Sequence, residues 1–255
     1  METKDILSLS LSIAAFGLSI YATITAQKKS VDERQRTLRG QLTDILGKLT
    51  ALQLEAAKLQ HEAKNDQEYL LTVRNVLGQQ NGFLLDQAVF ISGQIPALVT
   101  TYELNTIALA NAEAGNLLQA ETYYKKAIDV APNSLYKSQA TRSYAAFLYP
   151  QARLKEGREQ FRKALDLIKG EDNIDRATNG YTYQMWALAE SNFARSPEKA
   201  NQYFESARKE YASIDVDFIR NMALASLDAA QRSPASQQLL PNSPLQSNVS
   251  QTARP

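Results

Sequence analysis

The sequence predicts an all-α protein in three parts: an N-terminal transmembrane helix, a long coiled-coil-like helix, and a stack of about three helix pairs closed by a capping helix. Three observations lead there. Residues 6–26 carry no charge, apolar residues recur at alternating four- and three-residue intervals from Val31 to Leu77, and one side-chain signature occurs three times in the second half. That signature is a small residue, an aromatic four later and an alanine three after that. The copies are Ala120/Tyr124/Ala127, Gly157/Phe161/Ala164 and Ala200/Phe204/Ala207. Spacings of four and three put all three side chains on one face of a helix, where small residues beside a ring let a neighbouring helix come close.

Composition narrows the function classes. With 255 residues and 44% hydrophobic content the chain can bury a real core. The 28 basic and 27 acidic residues leave a net charge of +1, so no global field draws in nucleic acid. Cysteine is absent, which excludes disulfides, thiolate metal sites and cysteine nucleophiles.

As a helix, residues 6–26 (ILSLSLSIAAFGLSIYATITA) would measure roughly 30 Å, the thickness of a bilayer core. A cleavable signal peptide wants a basic start and a small-x-small site; here the start holds Glu2, Lys4 and Asp5 and the far end reads Ile24, Thr25, Ala26. The segment therefore reads as a retained span behind a short tail, residues 1–5. Lys28, Lys29, Arg34, Arg36 and Arg39 follow it and only Lys4 precedes it, which places the rest of the chain in the cytoplasm.

Residues 27–78 form the stalk. Val31, Leu38, Leu42, Ile45, Leu49, Leu52, Ala56, Leu59, Ala63, Leu70, Val73 and Leu77 keep a heptad register, with Gln35 and Asp66 in the two skipped slots. A homodimer through this seam is one expectation. The other is an amphipathic helix folded against its own chain, since Leu46 and Leu54 widen the stripe. Gly78 and Asn81-Gly82 predict the stalk's end, and a connecting helix is expected within residues 79–96, stopping at Pro96.

Residues 97–231 alternate helical stretches with short polar turns. The first pair turns at Gly115-Asn116, presents Ala120, Tyr124 and Ala127, and ends at Pro132, with Ala108 where its first helix meets its partner. On those residues this segment resembles a tetratricopeptide repeat, and the resemblance implies an α-solenoid that binds a protein or peptide. The second pair keeps Tyr144, Ala145, Leu148, Phe161 and Ala164 but has Gly157 for alanine and Lys169-Gly170 for proline; the third keeps Trp186, Ala200, Phe204 and Ala207 and opens its second helix at Pro197. Successive copies stand farther apart than the about 34 residues usual in the class, with GEDNID at residues 170–175 supplying the extra loop. Phe218, Ile219, Met222, Leu224 and Leu227 mark a capping helix, and residues 232–255, rich in Ser, Gln, Asn and Pro, read as a disordered tail.

No catalytic, cofactor or metal site is expected. His61 is the one histidine and sits on the stalk, no glycine-rich phosphate loop occurs, and no acidic or histidine cluster has ligand spacing. The resemblance implies that a partner lies against the first helix of each pair, which nominates Tyr102, Asn105, Leu109, Arg142, Ala146 and Tyr149. The charged clamp for a C-terminal carboxylate is not supported, because only Asn105 and Arg142 are available there. The function expected is an adaptor that recruits a protein or peptide to a membrane; the alternatives are an envelope-assembly helper facing the other side, or a structural protein that only self-associates.

Overall fold

The computed structural model describes the backbone of residues 3–62 and 67–232, with side chains from residue 29 onward except 57, 60–72 and 74. All regular structure among these residues is helical: α1 (Thr3–Glu62), α2 (Gln67–Gln94), α3 (Thr101–Glu113), α4 (Leu117–Asp129), α5 (Ser134–Leu148), α6 (Leu154–Asp166), α7 (Asn173–Asn192), α8 (Pro197–Ala212) and α9 (Asp217–Arg232), with single 3₁₀ turns at Pro96–Leu98 and Tyr149–Gln151. The chain is thus all-α. No helix among the described residues is long and apolar enough to cross a membrane. The side chains of residues 6–26, where a span is expected, lie outside the described set, as do those of His61 and all of residues 233–255.

The first departure from the sequence reading is the stalk. α2 runs unbroken through Gly78 and Asn81-Gly82, so neither the predicted end of the stalk nor a separate connecting helix over residues 79–96 exists. The chain reverses earlier, between Glu62 and Gln67, and α2 packs back along α1. Arg34 on α1 reaches Gln94 at the far end of α2 (3.2 Å), while Leu52 and Glu55 share a cleft with Gln80 and Phe83, so the two helices run in opposite senses. Burial decides the point against the turn signal. Leu42, Ile45, Leu46 and Leu49 of α1 and Leu85, Ala88 and Ile91 of α2, with Ile95 just beyond it, are buried in one core, which outweighs the about 1 kcal/mol that each mid-helix glycine costs.

That core continues into the repeats. Leu104, Ile107, Ala108 and Ala110 of α3, Ala120, Tyr124 and Ala127 of α4, and Tyr144, Phe147 and Leu148 of α5 belong to it. Polar contacts fix the junction: Arg39 Nη1 donates to the Leu98 carbonyl (2.8 Å) and pairs with Glu103, and Gln53 donates to Glu113 (2.5 Å). Leu42, Ile45 and Leu49 of the heptad seam, with Leu38 packed beside them, are therefore consumed within the chain.

From α3 onward a contact rule repeats. α3 packs on α4 and α5, α5 on α6 and α7, and α7 on α8 and α9; α4 meets α5, α6 meets α7 and α8 meets α9. Local chemistry sets the helix ends. Thr100 accepts from the Glu103 N–H while Glu103 accepts from the Thr100 N–H, a reciprocal cap on α3. Gly115 takes φ +82°, closing α3 before α4 begins. Asn133 caps α5, Asp172 caps α7 through the Ile174 and Asp175 N–H groups, and Pro197 opens α8. Asp172 of the polar GEDNID loop is thus a helix cap.

Candidate partner-binding surface

The side chains of the recurring signature all lie between helices. Ala108, Ala120, Tyr124, Ala127, Ala145, Phe161, Ala164, Ala200, Phe204 and Ala207 are buried, as is Gly157, while Pro132 is exposed at the end of its pair. Gly157 has a reason of its own. A Cβ there would lie 2.6 Å from Cε2 of the Tyr149 ring, so this copy has no room for the alanine that the other two carry.

The six nominated contacts divide. Tyr102 is 71% exposed on α3, with Asn105 and Leu109 half-buried along the same helix face at three- and four-residue steps, and Ala146 half-buried on α5. Asn105 Oδ1 is closed off from solvent and accepts no hydrogen bond among the described residues. Arg142 and Tyr149, the other two, are corrected by the structure: both are buried. Arg142 lies over the Tyr181 ring (4.5 Å) and donates to Thr182 Oγ1 (3.1 Å), stitching α5 to α7. Burial pushes its pKa down, against the pull of Tyr181 and Tyr211.

Tyr149 is 1% exposed and its hydroxyl donates to Glu190 Oε1 (2.7 Å). Glu190 is fully buried and also accepts from Arg158 Nε and Nη2 (2.7 Å each) and from Trp186 Nε1 (3.2 Å). The Trp186 indole divides its N–H between Glu190 and the Tyr149 oxygen at 2.9 Å. Burial works to raise the Glu190 pKa, but the Arg158, Tyr149 and Trp186 hydrogen bonds outweigh it and hold the carboxyl below its ordinary value. The same carboxylate, with burial the larger cause, drives the Tyr149 phenol upward. Every oxygen is satisfied, so this network locks α5, α6 and α7 together and offers no reactive group.

Sequence reasoning missed Glu190 and Arg158. The available signal was one acid, four residues after Trp186, closing the run Ala187-Leu188-Ala189. It also missed α2. Val76, Phe83 and Phe90 are 52%, 65% and 66% exposed at seven-residue spacing, beside an open cleft of about 390 Å³ lined by Lys48, Ala51, Leu52 and Glu55 of α1 and Gln80, Phe83 and Leu84 of α2. Among the described residues no group of acidic or histidine side chains could hold a metal ion. No protein-family model, curated protein or solved structure matches the chain.

Proposed function

We propose that this chain is a single-pass membrane adaptor whose tetratricopeptide-like stack of helix pairs binds a protein or peptide along its first helices. The observation that carries the reading is the contact rule, in which α3, α5 and α7 each meet the next first helix as well as their own partner. Such a rule builds a row of parallel first helices, and in stacked helix pairs that row is the extended surface left for ligands. On α3 it holds Tyr102, Asn105 and Leu109, an aromatic anchor, a half-buried amide and an apolar contact. An extended peptide would bury the Tyr102 ring and pack against Leu109.

The membrane part rests on residues 6–26, and the cytoplasmic placement on the basic residues that follow them. The test is capture of the tagged full chain from solubilised membranes, compared with a Tyr102→Ala/Leu109→Glu variant. The expected result is a co-purifying protein lost from the variant while its circular dichroism and melting are unchanged. An identical set of co-purifying proteins from both would remove the adaptor reading. A reporter fused to the C-terminus settles which side of the membrane the repeats face.

A further inference from the structure

A surface helix of a monomer normally shows water a charged face, and the described side chains of α2 do so only at Asp86. Residues 75–101 contain one charged side chain, Asp86. Its buried side, Leu85, Ala88 and Ile91, packs on α1 and the repeats, and the flank beside it, bordering α1, carries the exposed Val76, Phe83 and Phe90. Gln80 and Gln87 fall between them, so the exposed stripe steps Val76, Gln80, Phe83, Gln87, Phe90 at alternating intervals of four and three. That is a coiled-coil seam with apolar and amide layers in turn, on an exposed flank of α2 beside α1. It is not the heptad of α1, whose Leu42, Ile45 and Leu49 are already buried within the chain.

We infer that a second copy of this chain docks along this stripe, with the two α2 helices parallel. The layers choose the occupant. In a parallel two-fold pair every seam residue meets its own counterpart, so Phe83 faces Phe83 and Phe90 faces Phe90 across the axis. Gln80 and Gln87 likewise meet themselves, and an amide has the donor and the acceptor to bond its own copy. An antiparallel pair would set each glutamine against an apolar layer and strand it. A charge on such a seam would repel its counterpart, and the stripe has none. The cleft beside Phe83 supplies the hole into which a ring from the second copy fits. The inference stands apart from the adaptor reading, because the stripe lies on α2 and the proposed ligand surface on α3 and α5.

The chain has no cysteine, so introduced thiols report on position alone. Full-length protein in mild detergent is expected to show twice the monomer's protein mass by light scattering. Phe90→Cys should give a disulfide-linked dimer on mild oxidation, whereas Leu118→Cys, 83% exposed on α4, should not. A Phe83→Lys/Phe90→Lys variant should fall to half the mass with its helical circular dichroism intact. Three results would overturn the proposal. They are a monomeric wild type, a double-lysine variant that stays dimeric because another segment holds the copies together, and cross-linking of Val76→Cys only to Phe90→Cys when the two are mixed, which is the antiparallel pattern. A monomeric wild type whose vesicle binding is weakened by the lysines would reassign the stripe to lipid.

Discussion

Replacing Gly157 by alanine would drive a Cβ to 2.6 Å from the Tyr149 ring, whose hydroxyl is held by Glu190 and Trp186 and cannot swing aside. The expected cost is about 1–3 kcal/mol, read from the denaturant midpoint, as for overpacking elsewhere in cores. The Glu190 network predicts a second loss. Glu190→Ala strips Arg158 and Tyr149 of their acceptor and leaves Trp186 only the Tyr149 oxygen, and because Arg158 keeps some contact with water the expected cost is about 3 kcal/mol, the low end for breaking a buried pair. Acid sensitivity belongs to Glu121. Hydrogen bonding from Arg153, whose Nη1 lies 2.6 Å away, is the largest cause holding its pKa at about 2 against an ordinary 4.5; burial opposes this, and Lys125 and Tyr144 assist. Between those values the unfolded chain binds the proton and the folded chain does not, so stability falls as pH drops. The contribution is complete above 4.5 and disappears as pH falls toward about 2. Equilibrium unfolding across that window should slope less steeply with pH for Glu121→Gln than for the wild type.

At the scale of elements, the apolar faces were legible and one boundary was not. The small-aromatic-alanine signature marks α4, α6 and α8 because close helix approach needs those residue types at those steps, whatever their partners. The end of the stalk was misplaced because Gly78 and Asn81-Gly82 are local signals, and the burial of Leu85, Ala88 and Ile91 against α1 is not local. Exposure of Arg142 and Tyr149 was misjudged for the same reason: the residues that bury them, Tyr181, Thr182, Trp186 and Glu190, lie roughly 40 positions further on, in α7. α1 is consequently a core element of the repeats, and Leu42→Ala or Leu49→Ala, each at a fully buried site, should cost about 2–5 kcal/mol. A stalk independent of the repeats would leave the unfolding midpoint of α3–α5 unmoved by either change. Amide exchange in α3 distinguishes the two outcomes.

At the scale of the whole molecule, the buried side chains among the described residues form three clusters in chain order. One joins α1–α5, one α5–α7 and one α7–α9, with α5 and α7 each shared between neighbours. Stability in such an arrangement is passed from pair to pair rather than held in a common centre. α9 is lightly held: among its side chains Leu227 is fully buried, while Phe218 and Met222 stay largely exposed. Opening should therefore begin there, at a free energy below that of global unfolding. Leu227→Ala removes the one deep anchor of α9 and is expected to speed amide exchange in α8 and α9 at least tenfold, with α7 affected less and α1–α4 unchanged. The gradient arises because α9 touches α7 and α8, so its loss exposes Ile214, Tyr211 and the outer side of α7 but leaves the Glu190 network covered by α5 and α6. Equal acceleration in every helix would mean one cooperative core, and the stacked-pair architecture on which the proposed binding row depends would fall with it.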